Sequence, residues 1–335
     1  MPLDITVTAP PSYADIVKAA ERLAGHSRVT PLVKSAVFDE ITGKDVWFKP
    51  ECTQKVGAFK YRGAYNRLSA MSAREKAQGV VAYSSGNHAQ GVSRAAKELG
   101  MSAVIVMPSD APKIKVGGVI KDGAKIVFYD RLSQSREAIA DDISQQEGRI
   151  IVPSYDDPYI IAGQGTVGLE IAEEAQRREI NFDAVITCIG GGGLCAGISL
   201  ALDARSPRTK IYGAEPRGYN DHQMSLDAGR RIALENPPPS LCDALMTPTP
   251  GGLTWPINSR SLSGVHAVDD RDCLMAMAIA NREMDLIVEP GGAVAMAAVM
   301  QGAFSASKEI NTICVILSGG NVDPKISRQA DQLLG

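Results

Sequence analysis

Histidine is scarce, with four in 335 residues, and the six cysteines form no Cys-x-x-Cys pair and have no histidine at ligand spacing. Zinc ribbons, zinc fingers and thiol redox motifs are excluded by that spacing. Cys52, Cys188, Cys195, Cys242, Cys273 and Cys314 therefore read as small buried apolar residues of a reduced compartment. No block of Lys or Arg stands out and the net charge is −3, so a nucleic-acid partner is not expected. Long apolar runs are missing too. Those near Val185 and Ile313 have strand length, far below the ~20 residues of a membrane helix, so no membrane partner is expected. The N-terminus, Met1-Pro-Leu-Asp-Ile5, lacks a basic region followed by an apolar core. A signal peptide is not expected there, and the expected location is cytoplasmic. Neither an internal repeat nor a low-complexity tail is visible.

What the chain does have is glycine, 32 residues of it, and a regular alternation of short β-branched runs with longer amphipathic stretches. Val80–Tyr83, Ala103–Met107, Lys125–Tyr129 and Arg149–Val152 read as strands, with a helix expected over Ser133–Glu147 and another beginning near Pro112. The pattern resumes at Ala184–Cys188, Lys210–Gly213 and Thr312–Leu317, with a surface loop at Asn236–Ser240. Strand, helix, strand at this spacing means parallel βαβ units, hence an α/β protein with parallel sheets. The length suits two domains in one chain. In such sheets ligands gather at the carboxyl ends of strands.

The chemistry-bearing segments fall at those ends. Gly190-Gly-Gly-Gly193 follows a strand and precedes a helix expected over Ala196–Leu202. Four residues without Cβ let backbone N–H groups converge on an anion, and the helix adds its positive end. The spacing is neither a P-loop nor a dinucleotide fingerprint, and a bare tight turn is the alternative. Lys60 lies between Phe59 and Tyr61; a lysine amine can form a Schiff base with a carbonyl cofactor, provided burial or a cation keeps it partly neutral. Ser84-Ser-Gly-Asn-His88 offers hydroxyls and free helix N–H groups to a carboxylate, or merely caps a helix. Ser318, in Ser318-Gly-Gly-Asn-Val-Asp323, could hydrogen-bond a pyridine nitrogen. A hydroxyl is a poor proton donor, which favours elimination over transamination.

Together, Lys55-Val-Gly-Ala-Phe-Lys-Tyr-Arg-Gly63 and these segments resemble the fold-type II pyridoxal-phosphate enzymes, over about residues 14–323. The likeness is greatest to the threonine/serine dehydratase and serine racemase branch, through Phe59, Arg62-Gly63, Ala162-Gly-Gln-Gly-Thr166 and Arg136. The resemblance implies a tryptophan synthase β-like fold: a large cofactor domain of residues 1–68 plus 156–335, and a small mobile substrate domain of 69–155. It implies pyridoxal 5'-phosphate held by Lys60, with Asn87 on its 3'-oxygen. Gly190, Gly191, Gly192, Gly193 and Leu194 would bind its phosphate, and Ser318 would face the ring nitrogen. Ser84, Ser85, Gly86, Asn87 and His88 would take the substrate carboxylate, with Ser85 opposite Lys60 and Arg136 at the entrance. Glu215, Asp221 and the Tyr219 carbonyl would hold a structural Mg2+ or Ca2+.

The implied activity is threonine/serine ammonia-lyase; the alternatives are L-threo-3-hydroxyaspartate ammonia-lyase and serine or aspartate racemase. Arg136 supports an acidic substrate, because a guanidinium pairs well with a second carboxylate. A cofactor-bound protein without turnover is disfavoured by the intact Lys60, Ser85 and Asn87. A homodimer acting on a small amino acid is expected, without a regulatory domain after the last helix.

Overall fold

A computed structural model describes residues 9–334, so the leader reading of Met1–Ile5 lies outside the described residues. The strands are β1 (Val33–Lys34), β2 (Asp45–Lys49), β3 (Val80–Tyr83), β4 (Ala103–Pro108), β5 (Lys125–Tyr129), β6 (Ile150–Ile151), β7 (Ala184–Cys188), β8 (Lys210–Pro216), β9 (Leu262–Val268) and β10 (Thr312–Ile316). They form two sheets, in the orders β1-β2-β10-β7-β8-β9 and β5-β4-β3-β6. Among these strands of the described residues, β1 and β2 pair antiparallel and every other pairing is parallel. The expected α/β class with two parallel sheets is what the chain adopts. Among the described residues, no helix is long and apolar enough to cross a membrane.

Parallel strands covered on both faces read as unbroken apolar runs, and β4 and β7 are buried along their whole length. β5 stands at a sheet edge and buries only Tyr129. All six cysteines are buried thiols, as their spacing suggests. Element boundaries differ from the sequence reading where side chains make local turns. The helix expected from Ser133 starts at Arg136 behind Ser135, whose hydroxyl accepts from Ala138 N. Asp130 holds Ser133 and Gln134 in a separate turn before it. Pro112 is the residue before the helix Lys113–Lys121 rather than its first turn. β6 has two residues, and the helix after the glycines runs from Gly193 to Arg205, three residues earlier than expected.

The helix Lys60–Ser69 sits where the two halves meet. It buries Tyr61, Ala64 and Leu68 in the core of the smaller sheet, beside Ala89 and Val92. Its other face presses on the helix Pro158–Arg177 so closely that a Cβ on Gly163 would lie 2.6 Å from the Gly63 Cα. Gln164 accepts from Gly63 N at 3.2 Å. The Arg62-Gly63 and Ala162–Thr166 signatures therefore meet as one helix crossing, a packing device beneath the site.

Arg62 itself is fully buried and forks onto two carboxylates. Its Nε and Nη2 donate to Glu51 at 2.8 and 2.7 Å, and its Nη1 donates to Glu170 at 2.6 Å. Lys49, also fully buried, donates to Glu170 at 2.5 Å. Removing one partner strands the other as an unpaired buried charge, typically at a cost of about 3–5 kcal/mol. Arg62→Ala is therefore expected to lower unfolding stability by about that much, read by denaturant titration. A loss below ~1 kcal/mol would mean that water reaches Glu51.

Candidate active site

The loop between β2 and the helix Lys60–Ser69 is clamped by the loop after β10. Phe59 N donates to Ser318 O at 3.1 Å, Gly320 N to Gly57 O at 2.8 Å, and Ala58 bridges Gly319. Gly57 has φ +71°, and a Cβ there would lie 2.9 Å from the Asn321 side chain, so glycine is required. This clamp puts Lys60 and Ser318, far apart in sequence, on the walls of one cavity.

Lys60 Nζ donates to Ser154 O at 2.7 Å and faces no carboxylate among the described residues. Burial lowers its pKa to about 8. A Schiff base forms from the neutral amine. Reconstitution of apoprotein with pyridoxal phosphate should thus quicken as pH rises and level off above about 8, followed by visible absorbance. A rate still climbing towards the ordinary lysine range would show that the amine is solvated.

The glycine loop leaves β7 and enters the helix Gly193–Arg205. Its carbonyls are tied outward: Thr254 Oγ1 donates to Gly191 O at 2.6 Å and Asn258 Nδ2 to Gly192 O at 3.2 Å. A Cβ on Gly191 would sit 2.4 Å from the Tyr155 ring, and one on Gly192 2.5 Å from Asn258. The loop is bare because its surroundings leave no room for side chains. Lys60, Asn87, Gly190 to Gly193, Leu194 and Ser318 all line this cavity. The Cys188 thiol lies 3.2 Å from the Ser318 hydroxyl.

A second cavity opens from Lys60 and Asn87 towards the smaller sheet. It is lined by Ser84, Ser85, Gly86, His88 and Arg136. β3 ends at Tyr83, and the helix Asn87–Glu98 begins behind Gly86, with no side-chain cap. Ser84 Oγ accepts from Gly86 N at 3.1 Å, so neither serine caps the helix, and its leading N–H groups remain available to an anion. His88 is a packed residue. Its Nε2 bonds Val152 O at 3.0 Å, and burial beside Lys60 lowers its pKa to about 3, so it stays neutral. Arg136 lies 5.4 Å over the Tyr83 ring and donates through Nε to Glu137 at 2.8 Å. Its two Nη atoms make no hydrogen bond among the described residues.

The sequence reading missed three charged residues here. Lys115 reaches Asp243 at 2.7 Å and Glu289 at 3.3 Å, and Glu289 in turn accepts from Asn87 Nδ2. They come from three distant segments, so no local spacing could reveal them. Elsewhere, Glu215 and Asp221 come together, with His222, which was not expected, beside them. Glu215 also accepts the backbone N–H groups of His222 and Gln223, both at 3.1 Å. Burial pushes both carboxyl groups above their ordinary range. The Tyr219 side chain is buried in the intervening turn.

Comparison with known proteins gives a consistent picture. The family model described as pyridoxal-phosphate dependent enzyme matches residues 23–319. An L-threo-3-hydroxyaspartate ammonia-lyase from Pseudomonas sp is 39% identical over 326 residues, 97% of this chain and 99% of the relative. A maize serine racemase structure superposes with a TM-score of 0.90 at 37% identity, covering 97% of this chain and 98% of the other. A threonine deaminase from T.th. superposes with a TM-score of 0.87 at 38% identity, covering 93% of this chain and 99% of the other.

Proposed function

Since the chain belongs to the pyridoxal-phosphate dependent enzymes, in their ammonia-lyase and racemase group, we propose that it eliminates water and ammonia from L-3-hydroxy amino acids and prefers L-threo-3-hydroxyaspartate. The observation that carries the preference is Arg136, with two uncommitted Nη donors in the cavity that holds Lys60 and Ser85. L-Threonine or L-serine is the second reading, supported by the likeness to a threonine deaminase.

The residues fit the cofactor. Lys60 is an amine of lowered basicity that faces no carboxylate among the described residues, the bare loop Gly190–Gly193 opens the same cavity, and Ser318 brings a hydroxyl to its wall. Bound pyridoxal phosphate supplies an electron sink conjugated to the substrate's amino group, which loosens the Cα proton. In this proposal Asn87 and the glycine N–H groups orient the cofactor. The head of the helix Asn87–Glu98 and the two serines hold the α-carboxylate, while Arg136 holds the β-carboxylate. Lys60, through its unprotonated fraction, takes the Cα proton, and the ammonium so formed returns that proton to the β-hydroxyl, which leaves as water. Hydrolysis then yields a 2-oxo acid and ammonia. Ser85, on the opposite side from Lys60, could return a proton to that other face, which is the racemase side activity. We take residues 69–155 as the unit that closes over the substrate, and the assembly as a homodimer. Mg2+ or Ca2+ at Glu215, Asp221 and the Tyr219 carbonyl would serve structure. A higher unfolding temperature on adding either ion to chelator-treated protein would check it.

The deciding experiment measures 2-oxo acid release by purified holoenzyme from L-threo-3-hydroxyaspartate, L-threonine and L-serine. Preference for threonine or serine would overturn the acidic reading and leave the elimination. Release from none of the three, with D-serine formed from L-serine, would make racemisation the main activity.

A further inference from the structure

Lys115 is 3% exposed, yet it belongs to the helix Lys113–Lys121 beside the smaller sheet, and both of its partners belong to the other half of the chain. Its ammonium lies 2.7 and 3.0 Å from the two oxygens of Asp243, and 3.3 Å from Glu289 Oε2. Asp243 opens the short turn after the Asn236–Ser240 loop; Glu289 is the residue before the helix Pro290–Met300 and is 2% exposed. This is a charged bridge across the cleft itself.

Two further contacts tie the bridge to the site. The Lys115 alkyl chain lies against Gly86, where a Cβ would stand 2.8 Å from Lys115 Cδ. The bridge therefore touches the turn that offers N–H groups to a carboxylate. On the other side, Glu289 Oε1 accepts from Asn87 Nδ2, and Asn87 Oδ1 accepts from Asn321 Nδ2 at 2.8 Å. Asn321 donates also to Val56 O at 2.7 Å, in the loop that leads to Lys60. One buried ammonium thus touches both the substrate turn and the polar chain beneath the cofactor cavity.

Energetics argue against plain stabilisation as the reason for this lysine. Desolvating an ammonium and two carboxylates costs about what their attraction returns, and apolar residues of similar volume often do as well. What the charges add is a geometry that exists only when the two halves are apposed. We propose that Lys115 is a positioning residue whose bridge to Asp243 and Glu289 holds the Ser84–His88 turn in register over the cofactor cavity, so that substrate binding depends on it. The proposal rests on the enzymatic reading above. Lys115 does not compete with Lys60 for chemistry: burial would make it less basic, but Glu289 and Asp243 outweigh that and keep it protonated.

The test compares holoenzyme with Lys115→Met, Lys115→Arg and Asp243→Asn. Two readouts serve: KM and kcat for the best 3-hydroxy amino acid, and the affinity for L-alanine, followed by the change in cofactor absorbance. L-Alanine has the amine and carboxylate but no leaving group, so this readout survives if the proposed eliminations fail. Lys115→Met should raise KM and weaken L-alanine binding by roughly tenfold or more, with a smaller change in kcat. Lys115→Arg should recover most of the loss. Should the methionine variant not fold, Asp243→Asn, at a partly exposed partner, reads the same bridge and should weaken L-alanine several-fold. Affinity within twofold of wild type in the folded variants would overturn the proposal. So would a lowered unfolding temperature with KM unchanged, or an arginine variant as impaired as the methionine one.

Discussion

Lys60→Ala should abolish turnover, by at least ~10³-fold, and remove the visible absorption of the lysine-linked cofactor. The two lysines that line the cleft are in opposite electrostatic states, and this decides which one can act. Lys60 has burial without a countercharge, which lowers it to about 8. At neutral pH roughly one-tenth of such amines are unprotonated, against about one in three thousand for a lysine at its ordinary value. Lys115 sits between two carboxylates and stays charged. An alanine at position 60 also leaves the Ser154 carbonyl without its donor at 2.7 Å, a loss of roughly 1 kcal/mol that the fold can absorb. The variant should therefore remain folded and still bind pyridoxal phosphate reversibly through the glycine loop. Lys115→Met should keep the absorption that Lys60→Ala loses. Absorption retained by Lys60→Ala would move the cofactor link to another amine and dismantle the assignment.

The parts of this site that were legible in the sequence are those carried by backbone demands. Four consecutive glycines at a strand end announce a close approach, and Tyr155 and Asn258 supply it. What Lys60 and Ser318 could do was readable from their chemistry, but the resemblance singled them out, because a single lysine or serine has no pattern of its own. Their juxtaposition depends on the clamp between the Gly57–Phe59 and Ser318–Gly320 segments, roughly 260 residues apart. Lys115, Asp243 and Glu289 were illegible for the same reason, since ion pairs between distant segments leave no periodicity. His222 was hidden differently. It stands next to an expected ligand, Asp221, but the sequence does not show that its ring turns inward, with Nδ1 3.4 Å from Glu215. His88 went the other way. The motif suggested a carboxylate contact, whereas its ring Nε2 is spent on the Val152 carbonyl, a packing tie that the motif does not show. Strand identity was easily read from β-branched runs, and the ends were not. Ser135 rather than Ser133 begins a helix because Asp130 captures the earlier serine in its own turn.

Arg136→Gln should separate the substrates. For L-threo-3-hydroxyaspartate, kcat/KM should fall by roughly 10- to 100-fold, the worth of hydrogen bonds to a charged group. For L-serine, which has no second carboxylate, the change should stay within a few-fold. The asymmetry follows from how Arg136 is held. Nε is spent on Glu137 at 2.8 Å and the guanidinium carbon lies 5.4 Å from the Tyr83 ring centre, which biases the orientation before any ligand arrives and leaves both Nη atoms for a fork onto a carboxylate. Lys at this position keeps the charge but loses the fork, and should fall between wild type and Gln. Glu137 sharpens the test. Its carboxylate would repel a dicarboxylate, and with Arg136 gone that repulsion is no longer offset. Glu137→Gln alone removes that repulsion yet keeps an amide oxygen to accept from Arg136 Nε, so it should improve kcat/KM for the hydroxyaspartate while leaving serine unchanged. Equal losses for both substrates in Arg136→Gln would make the guanidinium a support for Tyr83 and the cleft wall. The chain would then be read as a threonine or serine enzyme, with the same lysine doing the same proton transfer.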